Sequence, residues 1–247
     1  MQKQPVFFRD LGMMPYLEAW EYQENLLRQN VDIKTRYRPA PQKQKQNTTT
    51  NYLLFVEHPP VYTLGKTGHE ENILLADDEL QERGILFVKT NRGGDITFHG
   101  PEQIVGYPIL DLEKFGTDIG KYLRNLEEII IRTLAEYGIF GQRSSGETGV
   151  WIEPGIAGSE RKIAAFGVRC SRWITMHGFA FNINTDLQYF DGIIPCGIKN
   201  KQVTSLAREL GHPVDLGEVK QKLKNHFEEV FEAALFEMQE SVLDYQC

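Results

Sequence analysis

Apolar positions along the chain follow two periods. In Thr117–Tyr137, Ile119, Leu123, Leu126, Ile130, Leu134 and Tyr137 recur about every 3.6 residues, and Gly138 stands where such a helix ends. Pro15–Asn30 predicts a second helix, with Leu17, Trp20 and Leu27 on one stripe. A short helix is predicted over Val203–Leu210, closed by Gly211, and a last one from about Leu216 to Met238. Shorter runs rich in β-branched and aromatic residues, punctuated by Gly and Pro, predict strands at Tyr52–Glu57, Val61–Leu64, Ile85–Lys89, Asp95–His99 and Gln103–Leu110. Further strands are predicted at Gly149–Ile152, Lys162–Arg169 and Trp173–Asn184. Strands outnumber helices and do not alternate with them regularly. The expectation is an α/β (α+β) protein, a mixed β-sheet flanked by helices, and not a doubly wound parallel fold.

Composition changes this picture little. The 247 residues are 41% hydrophobic and 25% charged, which suits a single globular domain over 1–247. No apolar run approaches the ~20 residues of a membrane span, and Met1–Asp10 lacks the layout of a secretory or transit signal. A cytoplasmic protein with no membrane partner is expected. A net charge of −7 argues against nucleic acid as a partner. Gly211–Cys247 holds eight acids and three lysines, so an acidic helical tail carries most of that excess. Lys34–Thr50, KTRYRPAPQKQKQNTTT, has little to bury and predicts an exposed inserted loop, with partner docking as its alternative. Cys170, Cys196 and Cys247 are an odd number and argue against a disulfide framework. The six histidines are scattered and no Cys-x-x-Cys exists, so no metal site is expected.

Four segments carry candidate chemistry. In Asn91–Gln103, NRGGDITFHGPEQ, a glycine pair lies between strand candidates. It suits either a close backbone approach to a ligand or a tight hairpin with a structural histidine. Alternation there puts Ile96 and Phe98 on one face and Asp95, Thr97 and His99 on the other. In Arg161–Arg169, RKIAAFGVR, alternation groups Lys162 with Ala164, Phe166 and Val168, as an edge lysine or a partly desolvated one suited to proton transfer. In Met176–Asn184, MHGFAFNIN, His177, Phe179, Phe181 and Ile183 share one face. Gly178 and Ala180 on the other leave space for a thin apolar ligand or for close packing. In Ile193–Ile198, IIPCGI, Cys196 stands between Pro195 and Gly197, in a turn shortly before a helix. It reads as a reactive thiol or as a small buried hydrophobe.

Taken together, RGGDITFHGPEQIVGYPILDL, RKIAAFGVR, HGFAFNIN and PCGI resemble the lipoyl(octanoyl) transferase family, over about Val6 to Leu210. The resemblance implies the fold of the biotin/lipoate protein ligase catalytic domain. It implies transfer of an octanoyl group from octanoyl-acyl carrier protein to a lysine of lipoyl domains, those of 2-oxoacid dehydrogenases and of the glycine-cleavage H protein, without cofactor. The family's nucleophile falls on Cys196 and its partner lysine on Lys162. Its substrate-binding segments fall on Arg92, Gly93, Gly94, Asp95, Ile96, Thr97, Phe98 and His99, on Ala165, Phe166 and Gly167, and on Gly178, Phe179 and Ala180. The Lys34–Thr50 loop and the acidic tail lie outside the family pattern.

The residues suit that chemistry. An ordinary thiol is only a few per cent ionised near neutral pH, and a neighbouring ammonium favours the thiolate. Cys196 would carry the octanoyl group as a thioester in a ping-pong reaction that needs no ATP. Lys162 would move the proton of the incoming amine, and backbone N–H groups near Gly178 and Cys196 would hold the oxyanion. His99 belongs to the site without a proton-transfer role. An acidic carrier protein calls for basic docking residues, for which Arg92, Arg143, Arg161, Arg169 and Arg172 are candidates. The alternatives are an ATP-dependent lipoate or biotin protein ligase, or a lipoyl-amidotransferase, on the same fold.

Overall fold

A computed structural model describes residues 3–37, 48–195 and 202–238. Among these, nine strands make one sheet and three make another. The large sheet runs β12 (Ala233–Glu237), β1 (Gln4–Met13), β2 (Tyr52–Glu57), β6 (Gln103–Ile109), β10 (Ile174–Asn182), β9 (Arg161–Ser171), β8 (Glu147–Ile152), β7 (Gly141–Ser144), with β11 (Gln202–Val203) beside β9. β1 is parallel to both neighbours and β11 to β9, while the remaining pairs are antiparallel. The small sheet is β4 (Leu86–Lys89), β3 (Val61–Leu64), β5 (Ile96–His99). This is the mixed sheet that the apolar pattern predicts.

The helices are α1 (Tyr16–Tyr37), α2 (Asp77–Glu82), α3 (Ile119–Ala135), α4 (Leu206–Leu210) and α5 (Leu216–Val230). α3 starts where the Asp118 carboxylate accepts from the Lys121 N–H, and α5 where Asp215 accepts from Glu218. Leu126, Ile130 and Leu134 of α3 join Val219, Leu223 and Phe227 of α5 in a core with Phe55, Phe179 and Phe181 on one sheet face. On the opposite face α1 buries Ala19, Leu26 and Leu27 against Leu54, Val105, Tyr107, Met176 and Ala180. A third cluster, with Tyr62, Leu64, Ile96 and Phe98, holds the small sheet against Leu80 of α2 and Ile193.

The structure corrects several expectations. Leu17 is 51% exposed, and the buried side of α1 is Ala19, Gln23, Leu26, Leu27 and Asn30. The helix runs on to Tyr37, and Lys34 near its end donates to the buried Asp111 carboxylate. The second Asp111 oxygen accepts from Thr49 at 2.6 Å. Both ends of the predicted loop are therefore built into the structure, and 38–47 lie outside the described residues. Val203 is in a strand, not in a helix. The last helix stops at Val230, and Ala233–Glu237 pairs in parallel with Gln4–Phe8, so this part of the tail is an edge strand. Ala-Ala-Leu-Phe is compatible with either structure locally, and the open edge of β1 decides it.

One irregularity positions the site. Pro108 stands in central β6 without an N–H, and the β6–β10 ladder runs only over Phe179–Asn182 before resuming at an isolated Asp111–Ile174 bridge. Thr175 fills the gap with its hydroxyl, accepting from the Leu110 N–H and donating to the Pro108 carbonyl. His177 takes a left-handed backbone, φ 56°, and its N–H donates to Gln23 of α1 at 2.8 Å. The next residue, Gly178, has no room for a side chain, since a Cβ there would lie 2.1 Å from the Gly106 carbonyl oxygen. The expected space for a ligand at Gly178 is thus filled by β6 backbone. Gly178→Ala must push two central strands apart. It is expected to cost about 1–3 kcal/mol, a fall of about 2–10 °C in melting temperature, measurable by thermal unfolding.

Candidate active site

A cavity of about 790 Å³ lies over β6, β10 and β9, between the large sheet and the segment 92–99. Arg92, Gly93, Gly94, Asp95, Ile96, Thr97 and His99 line it, with Ala165, Phe166 and Gly167 from β9 and Gly178, Phe179 and Ala180 from β10. Lys162 lines it too. Phe98 does not. It turns into the small-sheet core, stacked on Tyr189 with ring centroids 4.6 Å apart. Cys196 lies outside the described residues, but Pro195 before it and Val203 after it both line the cavity, and Val203 pairs with Lys162.

Lys162 is not on the face that simple alternation assigns. Between Val150 and Trp151 the pairing with β9 steps from Ala164 to Lys162, so Ile163 is an extra residue. Ile163 and Ala164 are both buried in the helix-covered core. The bulge moves Lys162 onto the side of Ala165 and Gly167, away from Ala164. Its ammonium lies over the Trp151 ring, 4.6 Å from the centroid, an attractive cation–π contact. The lysine stem passes Gly149, where a Cβ would sit 3.1 Å from Lys162 Cε.

The glycine pair makes a close backbone approach, as one of the two sequence readings has it. The Gly93 N–H donates to the Val168 carbonyl at 2.9 Å, and a Cβ on Gly167 would lie 2.8 Å from the Gly93 oxygen. Arg92 is buried and braces this segment. Its Nη2 donates to the Thr63 carbonyl at 2.6 Å and to Thr63 Oγ1 at 2.9 Å. From there a polar relay crosses the floor. Thr63 Oγ1 is 3.3 Å from His99 Nε2, and His99 Nδ1 donates to Gln103 Oε1 at 2.8 Å. Gln103 Nε2 donates to Asn182 Oδ1, Asn182 Nδ2 to the Thr204 carbonyl, and the Thr204 N–H to the Lys162 carbonyl. Each amide orientation fixes the next, so His99 presents its Nε2 lone pair toward Thr63.

Two more imidazoles stand beside it. His58 Nδ1 donates to the Met14 carbonyl at 2.7 Å, and Nε2 accepts from the Tyr107 hydroxyl at 2.8 Å. His177 packs with Trp20 and Tyr107 on the α1 side, opposite Phe179 and Phe181, because its left-handed backbone breaks the expected alternation. Its Nε2 donates to Asn91 Oδ1, whose amide is fixed by Glu24 of α1. Burial drives His58 down to about 4 and His177 to about 3, and holds His99 well below its ordinary value. The nearby Arg92 guanidinium adds to the effect on His99 and His177. Sequence reasoning named His99 and missed Tyr16, His58, Thr63, Asn91 and Asn182, which form one cluster only after folding. A histidine directly after the apolar run Leu53–Val56 was the available signal for His58.

The basic residues proposed for docking are mostly engaged elsewhere. Arg92 is buried, Arg143 pairs with Glu127 and Glu128, Arg161 with Glu153 and Glu209, and Arg169 with Glu24. Arg172 is exposed. Cys170 is exposed as a residue, while burial around its sulfur pushes the thiol above its ordinary value, away from a reactive thiolate.

Because the buried rings are depressed below the ordinary value near 6.5, their neutral forms support folding fully above that pH and lose the contribution as pH falls toward 4. At pH 5 the unfolded chain has bound these protons and the folded chain has not, which removes about 2 kcal/mol per ring. The urea midpoint is expected to fall between pH 7.5 and pH 5.0, and His58→Gln is expected to flatten that slope. Equal midpoints at both pH values would contradict buried neutral rings.

The profile of the family described as the lipoyl protein ligase A/B catalytic domain matches residues 15–228. An octanoyltransferase of Christiangramia forsetii is 58% identical over 228 residues, covering 92% of this chain and 96% of its own. An octanoyltransferase of Flavobacterium johnsoniae is 59% identical, covering 92% and 97%. A bi-partite lipoate protein ligase of Thermoplasma acidophilum, from a structural analysis that includes its E2 lipoyl domain, superposes with a TM-score of 0.64 over 97% of this chain and 89% of its own. At 16% identity that likeness speaks for the fold. The chain belongs to the lipoyl protein ligase A/B catalytic-domain family, among its octanoyltransferases.

Proposed function

We propose that the chain takes an octanoyl group from octanoyl-acyl carrier protein onto Cys196 and passes it to a lysine of a lipoyl domain, as a cytoplasmic enzyme of lipoate biosynthesis. Acyl transfer with an octanoyl cargo is its activity. The observation that carries the finer reading is the position of Lys162. The β9 bulge brings this lysine to the cavity wall, beside both ends of the segment that contains Cys196.

In the first half-reaction Cys196 Sγ attacks the thioester carbonyl carbon, a new C–S bond forms and the carrier's thiol leaves. In the second, the acceptor amine attacks the same carbon, a C–N bond forms and Cys196 leaves as thiolate. Lys162 favours that thiolate in both steps and takes up or returns the amine proton. Exchange of thioester for thioester is near balance and amide formation runs downhill, so the cycle needs no ATP. The acceptors are lipoyl domains of 2-oxoacid dehydrogenases and the glycine-cleavage H protein, and Arg172 is the exposed member of the arginines considered for docking the acidic donor.

Mixed with octanoyl-acyl carrier protein alone, the enzyme is expected to gain one octanoyl group by intact mass, mapped to Cys196. Label on Cys170, or full activity of Cys196→Ala with free octanoic acid and ATP, would overturn the assignment. Lys162→Met is expected to move the thiol titration to higher pH and to slow both half-reactions about 100-fold. An unchanged pH–rate profile would remove Lys162 from the mechanism.

A further inference from the structure

The cavity is much longer than its expected cargo. Lys162 marks one end, and Val168, six residues further along β9, pairs opposite His177 at the other. At the rise of a strand this is about 20 Å. An extended eight-carbon acyl chain spans about 10 Å. A chain whose carbonyl lies at the Lys162 end therefore stops near the middle, over Ala165 and Ala180. Beyond it the walls change character, to Tyr16, Arg92, His99, Tyr107 and His177.

Most polar groups at this far end are satisfied inside the protein. Both His58 nitrogens are bonded, Tyr107 donates to His58, and His99 Nδ1 is held by Gln103. Tyr16 is the exception. It is 3% exposed, with its ring stacked on His99 at 5.9 Å and edge-on to His58 at 5.2 Å. Its hydroxyl makes no hydrogen bond to a described residue, and burial keeps it protonated, with a pKa pushed up to about 12. It is a fixed neutral donor on the cavity wall. His177 Nδ1 close by likewise has no partner among the described residues.

We propose that this polar chamber, headed by the Tyr16 hydroxyl, sets the upper limit on acyl-chain length. The proposal rests on the reading that the acyl chain lies in this cavity. An octanoyl chain ends before the chamber and leaves the Tyr16 hydroxyl to solvent. A longer chain pushes methylenes against it and strips that solvent away. Orphaning a buried hydroxyl costs more than burying a methylene returns, so the longer chain is disfavoured. A hydroxyl at the far end of a long chain restores the lost hydrogen bond.

The test compares octanoyl, dodecanoyl and 12-hydroxydodecanoyl thioesters of pantetheine as donors, for the wild-type chain and for Tyr16→Phe, which removes no hydrogen bond within the described structure. In the wild type, kcat/KM is expected to fall at least about tenfold from octanoyl to dodecanoyl and to recover several-fold with the terminal hydroxyl. In Tyr16→Phe the octanoyl-to-dodecanoyl ratio is expected to shrink about tenfold and the hydroxyl advantage to vanish. Equal use of octanoyl and dodecanoyl by the wild type, no gain from the terminal hydroxyl, or an unchanged ratio in Tyr16→Phe would overturn the proposal while leaving the transferase reading intact. Failure of the wild type to transfer any of the three groups would instead remove the transferase reading and the proposal with it.

Discussion

The site depends on two places where strand alternation breaks. A regular β9 would send Lys162 toward the core covered by α3 and α5, among Ile163 and Ala164. The extra residue opposite the Val150–Trp151 step turns it to the other face. In β10 the left-handed backbone of His177, next to a proline-interrupted ladder, turns an imidazole toward α1 and the cavity. Such irregularities weaken a ladder locally. Here the lost pairing is replaced by Thr175 and by Gln23, so the backbone groups remain satisfied.

The second feature is a polar network that is buried yet nearly complete. Three histidines and an arginine within one cluster are stable because the rings stay neutral and most of their nitrogens are bonded. The chain of bonds from Arg92 through Thr63, His99, Gln103, Asn182 and Thr204 ends on the backbone of Lys162. It joins the small sheet, β6, β10 and the start of α4 to the strand that carries the lysine. A change at the glycine-rich segment is thereby felt at Lys162 through fixed geometry.

The fold is shared with ligases that differ in most of their residues, as the 16% identity to the archaeal ligase shows. What distinguishes chemistries on such a scaffold is the set of side chains presented to one cavity. In this chain the cavity combines small residues near Lys162 with a tyrosine and imidazole wall further in. The first half suits a thin alkyl chain, and the second is polar where a longer chain would end.

The sequence by itself determined the strands β2, β3, β6 and β9, the helix α3 and the segments that line the cavity, because these follow from short-range periodicity and from wording shared across a family. It also identified Lys162 and Cys196, though it assigned Lys162 to the wrong face. That face, the left-handed turn at His177, the strand made from Ala233–Glu237 and the grouping of Tyr16, His58, Tyr107 and His177 were decided by tertiary structure. Each depends on a neighbour distant in sequence. A bulge needs Trp151 across the ladder, an edge strand needs the free side of β1, and a buried neutral histidine needs a hydrogen-bond partner on another element. A linear pattern encodes which residues are apolar, but not which partner will satisfy a polar one.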